Sequence, residues 1–150
     1  MNQSSTVHAS AVLVGPRAVL IRGPAGSGKS RLALALIQTG TSGALRFSRL
    51  VGDDRVHLET SHGRLLVRPA EALAGLIEVR GLGIRKVPFE RSAVVCLVAD
   101  LAAADSERLP TPKSAGAEVV GIVLPRLAVA PGEDPFPLLI AALQTPDSGH

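Results

Sequence analysis

A chain of 150 residues, 46% hydrophobic and 19% charged, has the size and balance of one folded domain, which excludes a disordered tail. An aromatic content of 2% excludes an aromatic platform for single strands, and the net charge of +3 is scattered rather than gathered in a run, so no nucleic-acid partner is expected. One cysteine excludes an internal disulfide, no apolar stretch reaches membrane-spanning length, and residues 1–6 lack the features of a signal peptide, so cytoplasmic residence without a membrane partner is expected.

Along the chain, the polar ends 1–6 and 146–150 are expected to fray. They leave a single domain within residues 1–150, ordered over about 7–145. Ser10–Val14 and Arg17–Arg22 are short β-branched runs joined by Gly15-Pro16, which predicts a hairpin. The spacing then changes to a helical one over residues 29–38, with Leu32, Ala35 and Leu36 on one face and Gly40 as the stop. Three short strands follow at 49–52, 55–59 and 64–68, with Ser61-His62-Gly63 as a turn between the last two. Pro69 is expected to open a brief helix reaching Leu73, and the runs 76–79 and 84–87 flank Arg80-Gly81-Leu82-Gly83. Residues 93–99 read as a buried strand in which Cys96 is a small core side chain. A long polar loop over 100–116 precedes apolar runs at 119–124 and 126–130 and a last helix over about 136–143.

One segment carries a chemical signature. Gly23-Pro24-Ala25-Gly26-Ser27-Gly28-Lys29-Ser30 fits G-x-x-x-x-G-K-[ST] at every fixed position, with a strand before it and an amphipathic helix after. Glycines let main-chain N–H groups converge on phosphate oxygens, and the helix N-terminus adds a dipole of the right sign. Lys29 would reach the terminal phosphates and the Ser30 hydroxyl would ligate Mg²⁺, so ATP with Mg²⁺ is the expected ligand. The plainer alternative is a glycine-rich turn with a solvated lysine, and the correct flanks on both sides weigh against it.

A phosphate cradle does not reveal the reaction, because a carboxylate must also be found. Two candidates compete. Asp53-Asp54 follows the predicted strand 49–52, and on extended backbone only one of two adjacent side chains faces the loop. Asp100 ends an apolar strand and imitates the magnesium-holding acid of ordinary P-loop NTPases.

Read together, these segments resemble the C-terminal catalytic domain of the bacterial HPr kinase/phosphorylase family. His8-Ala9-Ser10-Ala11-Val12-Leu13-Val14 is similar to its His-containing strand, and Gly52-Asp53-Asp54-Arg55-Val56 to its A-D-D-R-V segment, with Gly in place of Ala. Ile77-Glu78-Val79-Arg80-Gly81-Leu82-Gly83-Ile84 resembles the diagnostic L-E-I-R-G-L-G-I, and Leu124-Pro125-Arg126-Leu127-Ala128-Val129 a later P-R-I-x-I stretch. The resemblance implies an α/β, phosphoenolpyruvate-carboxykinase-like P-loop nucleotide-binding domain with a strand-rich middle, in a short form without the family's N-terminal domain. It also implies transfer of the ATP γ-phosphoryl group to a serine of the phosphocarrier HPr, reversal by phosphorolysis with release of pyrophosphate, and a homo-oligomer.

By the same resemblance Asp53, with Asp54 beside it, is the base that takes the serine proton. Glu78 helps Ser30 hold the metal, Arg80 steadies phosphate charge, and His8 supports the cleft. Three departures stand out. Arg31 occupies a position where the family commonly has Glu, Gly132-Glu133-Asp134 replaces a G-R-N element, and residues 100–116 do not align. Two further readings remain open at this level: a different P-loop NTPase or small-molecule kinase built on Asp100, and a nucleotide-sensing module without turnover.

Overall fold

The structure, a computed structural model, describes residues 3–41 and 47–145. The chain opens with β1 (Ser4–Val7), β2 (Ser10–Val14) and β3 (Arg17–Arg22), then the helix α1 (Lys29–Thr41). β4 (Ser48–Gly52), β5 (Val56–Ser61) and β6 (Arg64–Pro69) follow, and β7 (Leu76–Val79) pairs with β8 (Gly83–Lys86) as a separate two-stranded sheet. The remainder is β9 (Ala93–Asp100), β10 (Gly116–Val119), β11 (Ile122–Ala128) and α2 (Pro135–Gln144). The main sheet runs β1-β5-β6-β9-β3-β2-β4, with the β10–β11 hairpin attached through β11. This is a strand-rich α/β fold.

β9 is the hinge point of the sheet. It runs parallel to β3 along one edge, and its other edge is divided: Ala93 and Val94 pair with β6, whereas Val98 to Asp100 pair in parallel with β11. The carboxyl ends of three parallel strands therefore meet at one side of the domain. In such sheets that side is where ligands bind.

Alternation along β2 and β3 divides the core in two, because successive strand side chains point to opposite faces. Val12, Val14, Val19 and Ile21 pack with Leu32, Ala33 and Leu36 of α1 and with Leu139 of α2. Ala11, Ala18 and Leu20 face the other way, onto Val56, Leu58, Leu65 and Val67 of β5 and β6. Both faces of β3 are covered, which is why residues 18–21 form an unbroken apolar run.

Several sequence expectations are corrected. Residues 4–6 are not a frayed end: β1 pairs with β5 from Ser4↔Glu59 to Val7↔Val56, and its polar composition reflects an exposed edge. Residues 146–150 lie outside the described residues. The buried face of α1 carries Ala33 rather than Ala35, and Gly40 lies within the helix. A Cβ at Gly40 would stand 2.4 Å from that of Ser48, so the glycine admits β4 against the helix instead of ending it. Pro69 is the last residue of β6, and only Glu71–Leu73 form a turn of 3₁₀-helix. The expected run 119–124 is broken by a hairpin turn in which Val120 has φ 49° and Gly121 φ 81°, an arrangement that valine disfavours and sequence cannot announce. Cys96 is half-buried, not a core side chain.

Candidate functional site

The phosphate-loop segment leaves β3 at Arg22 and enters α1 at Lys29, as the sequence requires. Gly23 is wedged in place: a Cβ there would lie 2.5 Å from Ser27 Oγ and 3.1 Å from Leu101 Cβ. Gly28, at φ 98°, turns the chain into the helix, whose first ladder bond is Leu32 N–H to Gly28 carbonyl at 2.9 Å. α1 has no acidic residue of its own in its first turn. Lys29 folds back over the loop, its Nζ donating to the carbonyls of Gly23 at 2.8 Å and Pro24 at 3.2 Å. No carboxylate pairs with it among the described residues. Ser27 Oγ is buried without a hydrogen-bond partner. A loop whose ammonium has no carboxylate partner and whose buried hydroxyl is orphaned, at the start of a helix, fits a polyanion.

Across from this loop lies Asp53, which is 4% exposed. Its Oδ1 accepts from Ser30 Oγ and from Ser10 Oγ, both at 2.7 Å. Its Oδ2 accepts from Ser30 Oγ at 2.9 Å and from the Glu78 main-chain N–H at 3.1 Å. Because Ser30 donates its only proton to the carboxylate, its lone pairs are free for a cation. That donor chemistry fits Mg²⁺ at Ser30, although no cluster of three or more His, Cys, Asp or Glu residues is assembled among the described residues.

A β-bulge explains how Asp53 reaches this position. β2 pairs Ala11 with Gly52 but Val12 with Leu50, so Val51 is the extra residue. A bulge bends its strand and re-aims the residues after it, here turning Asp53 toward Ser30. Asp54 then takes φ 70° and is exposed, while the Arg55 N–H closes onto the Asp53 carbonyl at 2.8 Å. One aspartate faces in and one out as expected, but through a tight turn, not by strand alternation.

The other expected site residues divide. Glu78 brings its main chain to Asp53, while its side chain is exposed on the β7–β8 hairpin. Arg80 is exposed at the hairpin turn, and His8 is exposed at the bend between β1 and β2, not within a strand. Ser10 was missed as a site residue. Its one signal was a hydroxyl in an otherwise apolar strand, a residue type that requires a partner when buried.

Asp100 belongs to a different arrangement. Arg22 grips it through Nε at 2.7 Å and a terminal nitrogen at 2.8 Å, and Arg126 Nε adds a third contact. Arg126 also donates to Asp105 at 2.8 and 2.9 Å and to the Ser114 carbonyl at 3.0 Å, tying down the loop after β9. Burial pushes the Asp100 carboxyl up, but the hydrogen bonds and charges of Arg22 and Arg126 outweigh it and hold the group below the ordinary carboxylate range. Arg126 is raised by Asp105 and Asp100 in turn. Asp100 is thus an ion-pair anchor beside the loop, its oxygens already claimed. Of the departures, Arg31 is exposed, and Asp134 caps α2 by accepting from the Phe136 N–H at 3.1 Å.

Comparison with known proteins finds relatives of one family. HPr kinase/phosphorylase of Clostridium tetani is 43% identical over 70 residues, covering 47% of this chain and 21% of the relative. The protein of that name from Halalkalibacterium halodurans is 37% identical over 102 residues, covering 61% of this chain and 31% of the relative. The chain therefore spans less than a third of the length of these curated relatives. Among solved structures, the Hpr(Ser) kinase/phosphatase from Coxiella burnetii superposes with a TM-score of 0.72 at 29% identity, covering 93% of both chains. The family profile described as HPr Serine kinase C-terminal domain matches residues 1–93, which include the phosphate loop, both aspartates and the β7–β8 hairpin. On that match the chain belongs to the HPr serine kinase C-terminal domain family.

Proposed function

We propose that this chain is an ATP- and Mg²⁺-dependent protein serine kinase acting on an HPr-like phosphocarrier, able also to run the reverse phosphorolysis. The reading takes the fold as a P-loop nucleotide domain of the phosphoenolpyruvate-carboxykinase type, working in the cytoplasm as a homo-oligomer. One observation carries it above the others: the buried carboxylate of Asp53 lies 2.7 Å from the hydroxyl of the loop residue Ser30. The names of the family and of its relatives agree with that reading.

The loop N–H groups and Lys29 hold the polyphosphate, with Lys29 exchanging its two loop carbonyls for phosphate oxygens. Ser30, with the Glu78 carboxylate reaching in from the hairpin, would hold Mg²⁺. The metal, when bound, offsets the charge that builds on the transferring phosphoryl oxygens. With the Ser30 lone pairs toward the metal, Asp53 would accept the proton of the incoming serine hydroxyl, and return it when phosphate attacks phosphoserine. Arg80 and His8 contribute from the rim, Arg80 to phosphate charge and His8 to the cleft, while Asp54 borders the acceptor.

The test mixes purified protein, ATP, Mg²⁺ and HPr and looks for phosphoserine by mass spectrometry. Asp53→Asn is expected to lower transfer about 10²–10⁴-fold while leaving nucleotide affinity near that of the parent. Normal transfer by that variant refutes the assignment.

A further inference from the structure

We propose that Ser10 is a positioning residue for phosphoryl transfer, setting the aim of the Asp53 carboxylate. The inference rests on the reading of Asp53 as the proton acceptor. Ser10 is wholly buried, between Ala9 and Ala11, which are likewise inaccessible to solvent. A buried hydroxyl must find hydrogen-bond partners. Ser10 finds them in the two aspartates: Oγ donates to Asp53 Oδ1 at 2.7 Å and accepts the Asp54 main-chain N–H at 3.4 Å.

Those two bonds act on separate features. The first fixes one carboxylate oxygen while the Glu78 N–H fixes the other, so the carboxylate plane is held from both ends without Ser30. The second steadies the turn in which Asp54 adopts φ 70°, a left-handed conformation that a non-glycine residue resists. Ser30 belongs to the loop that takes up the ligand. Ser10 sits on β2, paired to β3 from Ser10↔Ile21 onward, so its bond to Asp53 does not depend on that loop. Loss of its hydroxyl leaves Asp53 Oδ1 to Ser30 alone, so the carboxylate follows the loop, and a misplacement of about 1 Å at a reacting group costs up to about 100-fold in rate.

The experiment compares Ser10→Ala, Ser10→Thr and Ser10→Val in the full chain, with ATP, Mg²⁺ and HPr as reactants. Thr and Val have nearly the same shape and differ in the hydroxyl, so the pair separates hydrogen bonding from packing. Expected are kcat values about 10–100-fold lower for Ala and Val, substantial recovery in Thr, and ATP affinity by calorimetry unchanged throughout. Melting temperatures followed by circular dichroism give each variant's stability. The inference is overturned if Ser10→Ala turns over normally, or if Thr and Val lose activity alike in step with stability. Asp53→Asn measured alongside keeps the two claims apart. Should it transfer normally, the reading of Asp53 fails; should it be inactive while Ser10→Ala is normal, only the role of Ser10 fails.

Discussion

Replacing Asp100 by Asn tests whether that acid serves the fold, as against the chemical role proposed for Asp53. In the folded chain Asp100 and its partners Arg126 and Arg22 have side-chain exposures of 14%, 12% and 35%. An amide keeps the shape and one acceptor but withdraws the countercharge from two guanidinium groups. Breaking a fully buried ion pair costs about 3–5 kcal/mol and breaking an exposed one about 0–1 kcal/mol. Arg22 is partly solvated and Arg126 retains Asp105, so about 2 kcal/mol is the expected loss. At about 2–4 °C per kcal/mol for a domain of this size, melting should fall by roughly 4–8 °C. Circular dichroism is the assay, since the chain has no Trp or Tyr to report by fluorescence. Transfer per folded molecule should stay close to that of the parent. An unchanged melting temperature would show that the cluster contributes nothing, and a well-folded but inactive variant would return the metal acid to Asp100.

Other outcomes follow from the same geometry. Because the folded-state pKa of Asp100 lies below its unfolded value, its stabilisation is complete above about pH 4 and disappears as pH falls through the folded value; acid titration of Asp100→Asn should lack that part of the slope. Lys29→Ala should abolish the calorimetric signal of ATP with Mg²⁺ while leaving the melting temperature of the free protein nearly unchanged, as its own contacts are with loop carbonyls. Gly52→Ala places a Cβ 2.6 Å from Val56 Cγ1 and 3.2 Å from Pro69 Cα, and overpacking of that kind costs about 1–3 kcal/mol. Its neighbour Asp53 should be displaced with it, so kcat should fall as well. Leu58→Ala, in the core between β5 and β3, should cost about 2–5 kcal/mol in chemical denaturation without altering nucleotide affinity per folded molecule.

The sequence disclosed the strand–loop–helix order around residues 23–30 because its demands are on backbone: glycines, one lysine and one serine at fixed spacing. It also disclosed β2, β3 and β7 to the residue, where apolar alternation or runs are bounded by Gly and Pro. It did not disclose β1, since an edge strand with exposed side chains has no apolar face to betray it. Nor did composition separate Asp53 from Asp100. That choice depends on a bulge at Val51 and on two arginines, Arg22 and Arg126, standing 78 and 26 residues from Asp100 in the chain. Ser10 showed only as a hydroxyl in an apolar strand, because the partner that gives it meaning lies 43 residues away.

The parallel pairing of β3 with β9 has a consequence for biosynthesis. Arg22 and Asp100 meet from 78 positions apart in the chain, so a growing polypeptide exposes the glycine-rich loop long before the strand that flanks it leaves the ribosome. Contacts of such long range close slowly, because the entropy of the loop is lost before the contacts reward it. In the interval β3 offers a bare apolar edge, open to pairing with another nascent chain or to capture by a chaperone.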